Sequence, residues 1–394
     1  MKVAFIGDRL GLATGGNLYI ARVAEELAAL GVEVTLITLV PPRDIPWAEN
    51  LRLVTRDVDF SFGQRPGRGG VKSFIQSRIS AVTELKRLIQ EPYDILYSVG
   101  GPSNIVNHFC RKGPFPPKVS VAVIHHLFRQ DPWLKVLLSP DTFRKPFQTF
   151  YHLWGDHLAK GFQVVTVSQF WRNKLVNRGF AADFITIIPN GADWQDWPVY
   201  HREEAKRELN LSGSFVVYTS PLRLTKGIMI VLQALRLLVD RFPDLLLLTS
   251  GVTDTRSQKE VQTYVEVNGL GRHFRYAGLV PRSEIPKYYS AADTVILASL
   301  EEEGWGVTLL EGMMGGRPVV CSPKGAMPEL VGKQGIILQE NTPPCLAQAL
   351  ERLMTDTALR KQLEEAGPSR ARQFTFQAAA LAHLDLFEKL LNRS

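Results

Sequence analysis

Apolar residues along this chain follow two alternating patterns. Lys2–Ile6 is a short continuous apolar run ended by Gly7, as expected of a buried strand. Ile20, Val23, Ala24 and Leu27 then recur at i, i+3, i+4 and i+7, and Gly31 stops the series, which predicts an amphipathic helix. Glu33–Thr38, Asp94–Val99, Lys118–Ile124, Gln163–Val167 and Ile185–Ile188 are the further strands predicted in the first half, with helical stretches between them. Buried β-branched strands separated by helices imply a parallel sheet covered on both faces.

The alternation restarts after a turn-rich seam, Pro189–Pro198, in which Pro, Gly, Asn and Asp interrupt both periods. Phe215–Thr219, Leu245–Ser250, His273–Ala277, Thr294–Ala298, Pro318–Cys321 and Ile336–Leu338 are six more predicted strands, and one intervening helix is predicted over Ile228–Phe242. The pattern therefore predicts an α/β protein of two consecutive doubly wound, Rossmann-like sheets. We place the first domain at 1–195 and the second at 196–394, with the last helix packing back toward the first domain. The length of 394 residues agrees with two domains at ~100–200 residues each. Two segments resist the pattern: 57–78, Gly-rich, basic and dotted with Phe, and 127–150, which mixes aromatics, Leu, Pro and cations. Long irregular segments of this kind are often functional loops.

Composition narrows the class. With 45% hydrophobic and 22% charged residues the chain is an ordinary globular protein, not a disulfide scaffold, a fibre or a disordered chain. No run of eighteen apolar residues exists, and MKVAFIG reads at once as a strand instead of a leader, so a cytoplasmic protein is expected. Cys110, Cys321 and Cys345 are far apart with no CxxC spacing, and fit reduced thiols. The net charge of +7 is uneven. Residues 51–150 carry 15 Lys and Arg against 7 Asp and Glu, whereas residues 201–394 carry 23 against 22. A basic region attracts anions such as lipid head groups, nucleic acid or phosphorylated substrates, but a merely solvated basic face explains charge alone equally well.

Doubly wound sheets bind ligands beyond the C-terminal ends of their strands, so candidate chemistry lies there. The first such loop, 7–16, is Gly-rich and enters a helix, but lacks the GxGxxG spacing of a dinucleotide site. The most informative stretch is Ser299–Pro318, SLEEEGWGVTLLEGMMGGRP. Glu303 and Glu311 flank a Gly304-Trp305-Gly306 turn, and Thr308 with Glu311 matches a capping box that would start a helix near Thr308. Backbone N–H groups around Gly306–Leu309 would then face a diphosphate at the positive end of the helix dipole. Glu303 could equally be one member of a solvated acidic run, and Glu311 a cap alone. A third loop, Ser220–Gly227, SPLRLTKG, offers Arg223 and Lys226 as a diphosphate clamp. His125 and His126 end a first-half strand, where one of them can serve the site as base or hydrogen-bond partner. No carboxylate cluster with metal-ligand spacing accompanies these residues.

With these blocks in place, the chain resembles the retaining, nucleotide-sugar-dependent glycosyltransferases of family 4, also called group 1. The similarity covers nearly the whole chain, through TGGNLYIARVAEELAALGVEVTLIT, the PNGAD seam, TKGIMIVLQAL, FRYAGLVPRSEIPKYYSAADTVILAS and EGWGVTLLEGMMGGRPVVCSPKGAMPELV. The resemblance implies a GT-B architecture, two Rossmann-like domains facing across a cleft with the acceptor on the first. It implies that Glu303 sits at the reacting sugar, that Glu311 meets the nucleotide ribose, and that Gly304, Trp305, Gly306, Val307 and Thr308 form the phosphate turn. Lys226 would neutralise the donor diphosphate, Gly15 and Gly16 would let substrates approach the backbone, and His125 or His126 would stand near the donor sugar. Two departures concern donor contacts. The arginine usually found about five residues before the lysine is Pro221 here, with Arg223 nearby, and the last glycine-rich turn is Lys324-Gly325-Ala326-Met327.

The expectation is thus a retaining hexosyltransferase that needs no metal or other cofactor. Its partners would be a nucleoside diphosphate sugar and a hydroxyl acceptor, lipid-linked or otherwise anionic, with no nucleic acid. The basic, aromatic first domain could touch the inner face of a membrane. A GT-B epimerase or phosphorylase, or a non-catalytic nucleotide-sugar-binding partner, are the competing classes.

Overall fold

The structure is a computed structural model that describes residues 1–7, 10, 15–39, 51–55, 70–125, 154–192 and 197–393. It divides into two units, Met1–Gly191 with Phe376–Ser394, and Ala192–Thr375. The helix Phe376–Leu391 thus belongs to the first unit.

The first unit is built on a parallel seven-stranded sheet of order β3-β2-β1-β4-β5-β6-β7. Its strands are β1 (Lys2–Gly7), β2 (Glu33–Thr38), β3 (Leu51–Thr55), β4 (Ile95–Val99), β5 (Val119–Val123), β6 (Gln163–Thr166) and β7 (Ile185–Ile187). Alternation of side chains along the strands supplies two cores. Val3, Phe5, Val34, Leu36, Ile95 and Tyr97 face the helix Gly15–Ala29 and the C-terminal helix. Ala4, Ile6, Ile37 and Leu96 face the helices Gly70–Arg87 and Gly101–Cys110. Burial on both faces is why β1, β2 and β4 read as continuous apolar runs.

Two expectations need correcting here. β3 was not anticipated, because it is an edge strand with no fully buried residue, and Arg52 interrupts its short apolar pattern. The segment 57–78 was expected to be irregular, yet its end, from Gly70, begins an eighteen-residue helix. Residues 57–69 and 127–150 lie outside the described residues.

The second unit holds a parallel six-stranded sheet of order β10-β9-β8-β11-β12-β13. The strands are β8 (Phe215–Thr219), β9 (Leu245–Thr249), β10 (Phe274–Tyr276), β11 (Thr294–Leu297), β12 (Val319–Cys321) and β13 (Ile336–Ile337). Its core joins Val217, Leu247, Ile296 and Val320 to Val231, Leu232 and Leu235 of the helix Ile228–Leu238. That helix stops at Leu238 and not at Phe242, since Phe242 precedes Pro243 and a residue before proline disfavours the helical conformation. Ala192 and Thr375, the unit's first and last residues, form a parallel bridge.

Both sheets have the doubly wound order. Each reverses direction between its first two central strands, β1/β4 and β8/β11, and the C-terminal ends flanking such a reversal are where ligands bind. In the second unit those ends lead into Ser220–Gly227 and Ala298–Gly306. The three cysteines are free thiols, and burial pushes Cys110 up to about 11 and Cys321 up to about 12. No helix among the described residues is long and apolar enough to cross a membrane.

Candidate active site

The loop after β8 and the loop after β11 are held against each other by backbone contacts. Leu300 N–H donates to Thr225 O at 2.9 Å, and the Thr308 hydroxyl donates to Ser220 O at 3.1 Å. Gly227 makes the contact sterically possible. It has φ +80°, and a Cβ there would lie 1.8 Å from Ala298 O. Asn341 Nδ2 donates to both Ala298 O and Ser299 O at 3.0 Å, and the Ser322 hydroxyl to Ser299 O at 3.0 Å, so the end of β11 is clamped from the other side.

This juxtaposition brings Lys226 to the carboxylates. Its ammonium lies 2.8 Å from Glu303 Oε1 and 3.1 Å from Glu301 Oε2. Burial opposes the charge on Lys226, but the two carboxylates outweigh it, and its pKa ends above the ordinary lysine value. The side chain of Glu303 is only 15% exposed, compared with 53% for Glu301. The Glu303 segment is fixed from behind by the Lys324-Gly325-Ala326 turn. Ala326 N–H donates to Glu303 O at 3.1 Å, and Gly325, at φ +64°, approaches so closely that a Cβ would sit 2.4 Å from Glu303 N. The altered glycine turn is therefore a brace for Glu303.

The helix Val307–Met314 starts differently from the sequence expectation. Gly306 is its N-cap, and no side chain caps it. Thr308 lies in the first turn with its hydroxyl on Ser220, so the expected capping box does not form. Leu309 N–H is taken by Gly306 O at 2.9 Å, leaving Val307 and Thr308 as the opening amides for which a helix has no internal acceptor. Trp305 contributes its backbone to the turn. Its buried indole packs edge-on against Phe374, with centroids 5.1 Å apart.

Glu311 is buried and does not cap the helix. Arg282 donates to its Oε1, and the Tyr289 hydroxyl to its Oε2 at 2.7 Å. Tyr289 is pushed well above the usual tyrosine range, first by burial and then by the Glu311 charge. Arg223 is exposed at the N-cap of the short helical turn Leu224–Lys226, and its charge acts on the Asp254 carboxylate.

The remaining candidates belong to the first unit. Gly15 and Gly16 open the helix Gly15–Ala29. His125 follows β5, and its ring meets Tyr19 edge-on at 5.2 Å. His126 lies outside the described residues. Lys226, Glu303 and the Gly304–Thr308 turn are thus gathered at one strand reversal, and Glu311 sits further along the same helix. Sequence reasoning missed Glu301, Asn341, Arg282 and Tyr289. Only Glu301 left a local signal, in the acidic run.

A family model described as glycosyl transferases group 1 matches residues 201–370, and one described as a glycosyl transferase 4-like domain matches residues 14–191. The chain belongs to the group 1 glycosyltransferases. Among curated relatives of this glycosyltransferase, a D-inositol 3-phosphate glycosyltransferase of Corynebacterium glutamicum is 26% identical over 94% of this chain and 90% of that one. Among solved structures, a sucrose-phosphate synthase from Thermosynechococcus elongatus has a TM-score of 0.81 at 20% identity, covering 100% of both chains. Anabaena HepE in complex with UDP-glucose has a TM-score of 0.77 at 20% identity, covering 99% of this chain and 100% of that one. These likenesses bear out the GT-B fold expected from the sequence.

Proposed function

We propose that this glycosyltransferase moves a hexose from a nucleoside diphosphate sugar to a hydroxyl acceptor, with retention at the anomeric carbon and without a metal ion. The observation that carries the reading is Lys226 joined to Glu303 and Glu301 beside the opening amides of the Val307–Met314 helix. The bond from the anomeric carbon to the diphosphate breaks, the acceptor oxygen forms its bond on the same face, and the acceptor proton leaves with the diphosphate. Charge therefore grows on the diphosphate while the sugar becomes positive, and fixed groups aimed at both lower the barrier. Lys226, Arg223 and the amides of Val307 and Thr308 stabilise the diphosphate. Glu303 orients the sugar and stabilises its positive charge, Glu311 takes the ribose hydroxyls, and His125 or His126, with Gly15 and Gly16, serves the sugar and acceptor side.

The acceptor is read as anionic or lipid-linked. The excess of cations in 51–150 supports this, as do curated relatives whose names specify a phosphorylated acceptor, D-inositol 3-phosphate. Peripheral attachment at the inner face of a membrane follows for a lipid-linked acceptor. It requires binding to anionic but not neutral vesicles, weakened by salt and by reversing Arg144 and Lys145 to Glu. A protein left in the supernatant with anionic vesicles at low salt overturns the attachment.

The donor is found by thermal shift against UDP-, GDP-, ADP- and dTDP-sugars, because a ligand specific for the folded state stabilises it by RT ln(1 + [L]/Kd), so the tightest donor gives the largest shift at a fixed concentration. UDP-glucose comes first, since it is the ligand of Anabaena HepE. NMR of the product with an acceptor panel then tests the chemistry. A product of retained configuration is expected, whereas inversion overturns the retaining reading. Donor conversion without acceptor indicates an epimerase, a requirement for inorganic phosphate a phosphorylase, and binding without turnover a non-catalytic partner.

A further inference from the structure

Glu311 is a carboxylate only 8% exposed, and a buried charge is tolerated only when it is paired and hydrogen-bonded. Both of its partners come from one short segment. Arg282 opens the 3-10 turn Arg282–Glu284, and Tyr289 lies on the helix Ile285–Ala291 directly after it. The guanidinium is itself held, with Cζ 5.3 Å from the centroid of the Trp197 ring. Trp197 in turn packs on Tyr289 at 5.5 Å, and Tyr289 on Tyr218 at 4.8 Å. The planar guanidinium thus lies between an aromatic face and a carboxylate, an arrangement for which arginine is suited and lysine is not.

The stoichiometry of acceptors is informative. An ionised carboxylate offers about four lone-pair sites, two on each oxygen. Arg282 takes one site on Oε1, and Tyr289 takes one on Oε2. One lone pair on each oxygen is left, with the plane of the carboxylate fixed from both ends. Two vicinal hydroxyls need two neighbouring acceptors in that relation.

We infer that Arg282 is a positioning residue for nucleotide binding: stacked on Trp197, it holds the Glu311 carboxylate turned so that its remaining lone pairs receive ribose hydroxyls. This rests on the proposed reading of Glu311 as the ribose ligand. Arg282 acts through Glu311, and its effect belongs to binding, not to the chemical step.

Calorimetric titration of UDP, GDP, ADP and dTDP tests the inference, using the wild-type protein, R282M, R282K, E311A and the R282M/E311A double variant. R282M keeps the apolar stem on Trp197, and the 48% exposure of Arg282 makes the fold tolerant of the change, which melting temperature verifies. For the diphosphate that binds the wild type best, R282M and E311A are each expected to weaken affinity about tenfold, with R282K between R282M and wild type. The double variant should bind no more weakly than E311A, and kcat at saturating donor should stay within about twofold for R282M. Unchanged or tighter binding by R282M overturns the inference while leaving Glu311 as a ribose ligand. So does a further loss in the double variant, which makes Arg282 independent of Glu311. Unchanged binding by E311A, or failure of all four diphosphates to bind the wild type, overturns the reading of Glu311 and the inference with it.

Discussion

The ammonium of Lys226 lies 2.8 Å from Oε1 of Glu303, joining two strand-end loops across 77 positions of sequence. Each residue has a charge that its surroundings partly desolvate, and each is neutralised by the other. A donor diphosphate entering beside this pair offers Lys226 a second anionic partner, and a sugar with growing positive charge offers Glu303 a second cationic one. On the proposed reading, Lys226 serves the diphosphate end and Glu303 the sugar end of the breaking bond.

Replacing Glu303 by Gln keeps the volume and removes the charge. We expect kcat to fall by about 10²-fold or more, because the interaction with the sugar is strongest in the transition state. Melting temperature should move little, since Lys226 retains Glu301 at 3.1 Å. Steady-state kinetics with the best donor decides, and wild-type turnover by Glu303→Gln would remove the residue from the mechanism.

Gly325→Ala tests the brace behind Glu303. The new Cβ would sit 2.4 Å from Glu303 N and 2.6 Å from Glu303 O, contacts that backbone must relieve by moving. A displacement near 1 Å at a reacting group costs about 10²-fold in rate. Its left-handed backbone adds roughly 1–2 kcal/mol of destabilisation. A variant that folds but loses kcat is the expected result, and unchanged kcat in a folded Gly325→Ala protein would show that Glu303 does not depend on this turn.

The central strands and the second-unit loops were legible because burial on both faces leaves unbroken apolar runs, and because Glu303, Lys226 and the intervening glycines carry their chemistry locally. β3 was not legible, since an exposed edge strand with Arg52 in its middle has no such run. The start of the Val307–Met314 helix was misread for a different reason. Thr308 and Glu311 have capping-box spacing, but tertiary partners compete for both: Ser220 takes the hydroxyl, and Arg282 and Tyr289 take the carboxylate. Glu311 and Arg282 are 29 positions apart, a separation that no local pattern records. His383 illustrates the same limit: the return of the last helix to the first domain is expected from the sequence, but no local pattern pairs His383 with Tyr97, 286 positions away.

The charge-clamp reading also predicts insensitivity to chelation. On that reading, Lys226, Arg223 and two helix-opening amides supply at the leaving diphosphate the positive potential that a divalent ion would otherwise provide. Among the described residues, no group of three or more His, Cys, Asp or Glu is placed to hold a metal. Activity measured after dialysis against excess EDTA should match the untreated enzyme. Loss on chelation with rescue by Mg²⁺ or Mn²⁺ would overturn the clamp.

His383 yields a prediction about acid stability that is independent of the reaction. It is fully buried in the first unit, with Nδ1 2.7 Å from Ala379 O and Nε2 2.9 Å from the Tyr97 hydroxyl. Nδ1 therefore carries the proton and donates to the carbonyl, while Nε2 accepts from Tyr97. Burial lowers its pKa from the ordinary 6.5 to about 4, only partly countered by the Ala379 carbonyl. The rings facing it are Tyr19, Tyr97 and Phe387, and burial keeps both tyrosines neutral throughout this range. Because the folded value is the lower one, the unfolded chain takes up the proton first as pH falls. Stability is then complete above about pH 6.5 and declines progressively toward pH 4, by about 3 kcal/mol for this residue. His383→Gln cannot titrate and keeps an acceptor for Tyr97. Urea midpoints of the two proteins, compared from about pH 7 down to about pH 4.5, should converge as the wild type loses its advantage. Curves that stay parallel would mean that His383 is protonated as readily in the folded protein as in the unfolded chain.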